Sequence, residues 1–312
     1  MRALACPASL KSVLGATAAA AALARGLRRA GVEADELPIA DGGEGSLDAL
    51  HAGLGGVFHE VDVPDAFGRL RRARWLELPD GRAAVEAAAA IPLDPSRLDP
   101  FAASSRGLGE LIAAVGRPAG LIVGLGGTAT VDGGAGLLET LEALPTPTIA
   151  ACDALVPLRD AARLFAPQKG ATPEQVDELE RRLAARADLA PYAELPGAGA
   201  AGGLGAALAS LGADLVPGAK LVLAVVGFDP TRYDLVVTGE GTVDRTTATG
   251  KAPGEVVRRC RAAGVSCAVF GGRIVEPLPG ADAYALSGDP ERAEDDLDEL
   301  GERLGRSLLG GA

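Results

Sequence analysis

Residues 238–253, TGEGTVDRTTATGKAP, place two carboxylates (Glu240, Asp244), five threonines and one ammonium (Lys251) on glycine-rich backbone. They follow directly on the apolar run LVV (235–237). Carboxylates with open geometry can share Mg²⁺ with water and phosphate oxygens, and one of them can accept a hydroxyl proton. Lysine offers a compact point charge that suits a phosphate or a carboxylate. The stretch therefore has the parts of an anion- and metal-handling loop.

Other polar loops of the same kind follow apolar runs. They are PASLK (7–11), DGGEG (41–45), GLGGTATVDGGAG (124–136) and CD (152–153), with FAPQKGAT (165–172) just before a helix. In an open α/β sheet, ligands bind beyond the carboxyl ends of the strands, where these loops fall. Lysine usage points the same way. The chain has 30 basic residues, yet its only lysines are Lys11, Lys169, Lys220 and Lys251, and all but Lys220 lie in these loops. Gly124, Gly126, Gly127, Gly133, Gly134 and Gly136 surround Thr128, Thr130 and Asp132. Glycines let backbone approach an anion, and a following helix N-terminus offers free N–H groups, although a tight strand-to-helix turn uses the same residues. The acids of these loops are Asp41, Glu44, Asp132, Asp153, Glu240 and Asp244.

Several chemistries are poorly supported. There are two histidines, His51 and His59, and neither HExxH nor G-x-S-x-G occurs, which argues against zinc hydrolysis and histidine triads. Lys251 follows Gly250 but precedes Ala252, so the loop is not a Walker A motif. One rival reading stands: GLGGTA (124–129), with Asp153 ending the next strand, fits a dinucleotide fingerprint and hence an NAD(P)-dependent oxidoreductase.

The elements that must hold these loops alternate as strand and helix, which predicts an α/β fold. Strands are expected at ALAC, ADELPIA, GLIVGL, PTIAACD and VSCAVFGG, and helices over about 12–30, from about Glu44, over 104–115 and in the acidic tail 290–308. Residues 57–90 change character to antiparallel β, with PDG (79–81) as a turn, so a second domain is expected to begin near residue 57. Thr172, Pro173 and Gln175 read as a capping box. GAGAAGGLGAALASLG reads as a loop feeding a small-residue helix in close backbone packing. A length of 312 residues suits two domains. A net charge of −12 with no basic stripe argues against nucleic acid. Aromatics at 3% imply a core of Ala, Leu and Val. No apolar run is long enough for a membrane span. Four cysteines without metal spacing fit a reducing cytoplasm. Lys11 interrupts the apolar start, so the alanine run reads as a helix and not as a signal peptide.

ADGGEGS, GLGGTATVDGGAG, APQKGAT, GAGAAGGLGAAL and VTGEGTVDRTTATGKAP, in this order, resemble the signatures of the bacterial class I glycerate kinases. The resemblance implies a flavodoxin- or Rossmann-like parallel-sheet domain built from both chain ends (1–56 and 228–312), an inserted α/β domain (57–227) and a cleft between them. It also implies phosphorylation of D-glycerate by ATP and Mg²⁺, giving 2-phosphoglycerate. The expected partners are a small hydroxy acid and a nucleotide, for a monomer or homodimer. With that family in view, Asp41, Asp132, Asp244 and Lys251 are the catalytic candidates, with Asp132 or Asp41 orienting the substrate hydroxyl. Ser9, Lys11, Glu44 and Lys169 are the substrate candidates, with Lys11 or Lys169 on the carboxylate. Gly124, Gly126, Gly127, Thr128, Thr130 and Thr242 would hold nucleotide, and Glu240, Asp244 and Asp153 would hold metal. The family pattern is altered at Ala8, Leu10, Val131, Val156 and Thr249. The changes at 8, 131 and 156 motivate a further alternative, a non-catalytic homologue that binds nucleotide or glycerate.

Overall fold

The computed structural model describes residues 1–310. The chain forms two compact units: Met1–Ala40, Asp48–Gly53 and Val222–Ala312 make the first, and Asp41–Leu47 with Leu54–Leu221 the second. The strands, in chain order, are β1 (Arg2–Ala5), β2 (Glu33–Glu36), β3 (Val57–Pro64), β4 (Leu70–Glu77), β5 (Ala83–Glu86), β6 (Leu121–Gly124), β7 (Thr148–Cys152), β8 (Asp214–Pro217), β9 (Leu235–Val243), β10 (Ser266–Ile274) and β11 (Asp282–Ala285).

The sheet of the first unit runs β11-β10-β9-β1-β2, parallel throughout. β1 leads outward to β2, whereas β9 leads the other way to β10 and β11, so the strand order reverses between β1 and β9. Few aromatics are available to fill this unit, and alanine does much of the filling. The Ala16–Arg29 helix buries Ala19, Ala20, Ala22, Leu23, Ala24 and Leu27. It meets the Ala293–Gly310 helix so closely that a Cβ on Gly26 would lie 1.9 Å from the Asp298 carbonyl oxygen. Arg25 and Arg29 pair with Asp298 beside that contact, and exposed pairs of this kind contribute little.

The sheet of the second unit runs β3-β4-β5-β6-β7-β8. β3, β4 and β5 are antiparallel neighbours, and β5 through β8 are parallel. The turn at 79–81 forms with Gly81 at φ +82° and its N–H on the Leu78 carbonyl. The capping box at Thr172 is present, with Gln175 N–H on Thr172 Oγ1 and Thr172 N–H on Gln175 Oε1. In the small-residue segment, Ala201, Gly202 and Gly203 take left-handed φ before the regular turns begin. A Cβ on Gly202 would meet the Thr130 carbonyl oxygen at 2.2 Å, so the composition serves close backbone packing. No helix among the described residues is long and apolar enough to cross a membrane.

The end of β9 differs locally from the sequence reading, and β8 and β11 are strands that it did not expect. Residues 239–243 continue β9, paired with β10 as far as Val243 opposite Ile274. Glu240 and Thr242 therefore stand on strand backbone and not on a loop.

Candidate active site

In the first unit, the end of β9 organises a chain of contacts. Asp244 caps the short Arg245–Ala248 helix, its Oδ1 accepting the N–H groups of Thr246 and Thr247 and the Thr246 hydroxyl. The Thr246 hydroxyl is the main cause holding the Asp244 carboxyl below its usual range. The cap fixes Thr247, whose hydroxyl accepts the Asp244 N–H (3.0 Å) and donates to Glu240 Oε1 (2.7 Å). Glu240 is 9% exposed, and its Oε2 accepts from Lys251 Nζ at 3.1 Å. Lys251 is the N-cap residue of the Ala252–Ala263 helix. Its ammonium is thus held by a buried carboxylate that is itself held by a threonine.

Of these groups, Glu240 and Lys251 border a cavity of about 600 Å³ over the carboxyl ends of β1, β9, β10 and β11. Ser9 and Lys11 reach it from the loop after β1, Thr242 from β9 and Arg273 from β10. It covers the β1/β9 reversal, where doubly wound sheets bind ligands.

In the second unit, Asp132 is consumed by the fold. Its Oδ2 accepts the Ser105 N–H (2.8 Å), the Ser105 hydroxyl (2.7 Å) and the Gly136 N–H (3.2 Å), and its Oδ1 accepts the Gly134 N–H (3.0 Å). The Ser105 hydroxyl also accepts the Leu137 N–H at 2.9 Å. The first N–H groups of the six-residue Ala135–Thr140 helix are therefore taken by protein, and few donors remain there for a phosphate. The loop glycines also face protein. A Cβ on Gly124 would meet the Gly42 carbonyl oxygen at 2.8 Å, and one on Gly126 would meet Gly43 Cα at 2.7 Å and Asp153 Oδ2 at 2.9 Å. Gly127 has φ +78°. These positions need glycine for packing and turn geometry, whatever else the loop does. The dinucleotide fingerprint at 124–129 has the same explanation, and only a short helix follows it.

Lys169 is 3% exposed and donates to the Thr130 carbonyl oxygen (2.7 Å) and, at longer range, to Thr128 Oγ1 (3.5 Å). Burial pushes its ammonium down to about 8, against the pull of Asp153 and Asp132. Asp41 and Glu44 are different: among the described residues, neither carboxylate has a hydrogen bond or ion pair assigned to it, so both are available to a ligand. Sequence reasoning passed over Glu86, a carboxylate 4% exposed whose Oε1 accepts the Leu47 N–H at 2.7 Å and so fixes the DGGEG loop. It also passed over Ser105 and Thr247. No group of three or more His, Cys, Asp or Glu side chains among the described residues is placed to hold a metal ion. Glu240, Asp244 and Asp153 therefore do not form a protein cage.

The depressed Lys169 titration has a stability consequence. Its folded value, about 8, lies below the ordinary 10.5, so the unfolded chain binds more protons between those limits. Stability rises with pH through that window, and the burial penalty is fully present below pH 8. Relative to Lys169→Met, the wild type is expected to gain on the order of 3 kcal/mol between pH 8 and 10.5. Urea unfolding of both proteins across that range checks it; parallel curves would remove the argument.

The family model described as "Glycerate kinase family" matches residues 3–147 and 144–288. The chain belongs to the glycerate kinase family. Two relatives show how far the likeness extends. The glycerate 2-kinase of Escherichia coli (strain K12) is 35% identical over 81% of this chain and 80% of its own length. The glycerate kinase of Bacillus subtilis (strain 168) is 35% identical over 88% and 85%. A crystal structure from Salmonella typhimurium LT2, of a protein given the provisional name glycerate kinase 2, superposes with a TM-score of 0.83 at 29% identity. It covers 100% of this chain and 99% of that one. As a member of the glycerate kinase family the chain is a phosphotransferase, and the oxidoreductase reading is left without support.

Proposed function

We propose that the chain phosphorylates D-glycerate at its 2-hydroxyl, with ATP and Mg²⁺, giving 2-phosphoglycerate. The observation that carries this reading is the Lys251 ammonium, held at the cavity of the first unit by Glu240, which Thr247 in turn holds, in a chain whose relatives are named glycerate kinases. Phosphoryl transfer asks mainly for positioning and charge neutralisation, so a site without histidine suffices. The donor set fits a cation carried on the nucleotide. Mg²⁺ keeps water and phosphate oxygens as most of its ligands and needs only one or two carboxylates. Asp244, whose capping bonds all fall on Oδ1, keeps Oδ2 for that purpose. When bound, MgATP supplies the transferable phosphoryl group and screens its charge.

The protein's own residues divide the remaining work. Lys251 neutralises phosphate, and Glu240 sets where its ammonium sits. Asp41, with its carboxylate uncommitted, orients the acceptor hydroxyl and takes its proton. Asp132 and Lys169 act one step back by fixing the 124–136 loop. The four cysteines are free and buried, in keeping with a reducing cytoplasm, and we read the protein as a monomer or homodimer.

Incubation with ATP, MgCl₂ and D-glycerate, followed by ³¹P NMR, tests the reading. A phosphate coupled to the single C2 proton is expected. Coupling to the C3 protons would reassign the hydroxyl, and no ADP release at millimolar glycerate would reject the kinase. Binding of both ligands without turnover would favour the non-catalytic alternative.

A further inference from the structure

We propose that the roughly 600 Å³ cavity at the β1/β9 reversal is the seat of the nucleoside triphosphate, with its phosphates over Gly241 between Lys11, Lys251 and Arg273. The inference rests on the kinase reading and adds to it which part of the chain takes the donor.

Gly241 supplies the first argument. Its φ is not in the left-handed region, and a Cβ added to it would come no closer than 3.6 Å to any protein atom, Leu10 Cα being the nearest. Neither turn geometry nor packing requires glycine there. It lines the cavity, where a missing side chain lets a ligand lie on strand backbone. The glycines of the 124–127 loop are the contrary case, because protein atoms or a left-handed φ account for each of them.

Charge supplies the second. The acids bordering the cavity are already committed to protein groups. Glu240 is bound by Thr247 and Lys251, Asp289 Oδ1 accepts the Glu291 N–H, and Asp296 Oδ2 accepts from Ser287. Lys11 and Arg273, by contrast, have no side-chain hydrogen bond or ion pair assigned among the described residues. The cavity of a protein with net charge −12 thus keeps uncommitted cations for an anion.

Layout supplies the third. β11 and β1 are three strand intervals apart in the sheet, about 14 Å, which accommodates base, sugar and polyphosphate in a row. Leu286 and Pro290 follow β11, whereas Lys251 and Lys11 follow β9 and β1. The base lies at the β11 end and the phosphates at the β9/β1 end. A three-carbon hydroxy acid has no apolar surface to match Leu286 and Pro290 and does not need this volume.

Calorimetric titration with the non-hydrolysable probe AMP-PNP and MgCl₂ tests the assignment. Lys11→Ala/Arg273→Ala is expected to weaken binding at least tenfold and Gly241→Ala at least fivefold, at unchanged melting temperature. Asp41→Asn, in the other unit, is expected to bind the probe as the wild type does. Wild-type affinity in both cavity variants would overturn the assignment, as would displacement of AMP-PNP by millimolar D-glycerate. The two readings fail separately. Loss of probe binding in the cavity variants of a protein that never phosphorylates glycerate supports the seat and rejects the substrate. Normal glycerate turnover with an unchanged KM for ATP in those variants does the reverse.

Discussion

Lys251→Met is expected to lower kcat/KM about 10²–10³-fold, the loss typical of removing one preorganised group that stabilises transition-state charge. Methionine keeps much of the length and removes the ammonium. The same change strips the ion pair from Glu240, whose side chain is 11% exposed, leaving the Thr247 hydroxyl as its assigned side-chain donor. A fully buried pair broken in this way costs about 3–5 kcal/mol. Here the Lys251 side chain is 30% exposed, so solvent screening reduces the cost to about 1–2 kcal/mol. The double variant Glu240→Gln/Lys251→Met separates the two effects. It should recover most of the melting temperature and none of the activity. Recovery of activity with stability would mean that Lys251 only neutralises Glu240.

Asp132→Asn is expected to act on stability, lowering it by about 3–5 kcal/mol, because several charge-assisted bonds are lost together. The native carboxylate accepts four protein donors on its two oxygens. An amide presents one acceptor oxygen and turns N–H donors toward the remaining N–H and O–H groups. Denaturant unfolding measures the loss. A variant that melted like the wild type but lost kcat would instead return Asp132 to the role of hydroxyl-orienting base. Asp41→Asn should show that opposite pattern, since the fold assigns its carboxylate no bond.

The parallel strands were legible because buried strands are written as apolar runs, LIVG in β6 and TIAAC in β7. β8 (DLVP) and β11 (DAYA) were not, since four-residue edge strands carry half-polar sequences that read as loop. In the candidate site, the types of Glu240, Thr247 and Lys251 were visible, but their order of support was not. Which acid holds a lysine and which caps a helix depends on where β9 ends, and the strand runs past the point where glycines suggested a loop. The 124–136 loop shows the deeper limit. A glycine beside a phosphate and a glycine beside another glycine look alike in a sequence, and the partner of Gly126 is Gly43. Likewise Ser105, 27 residues upstream of Asp132, has no local signal that marks it as that acid's partner.

The place of β1 in its sheet has a consequence for biosynthesis. β1 pairs with β2 on one side and with β9 on the other, yet β9 is encoded more than two hundred residues later. At ribosomal rates of about 5–20 residues per second, the first strand waits on the order of ten seconds or more with one hydrogen-bonding edge open. Every strand of the other sheet lies between Val57 and Pro217, so that sheet can close during the wait. Until β9 is made, the open edge of β1 is a template on which another chain can pair.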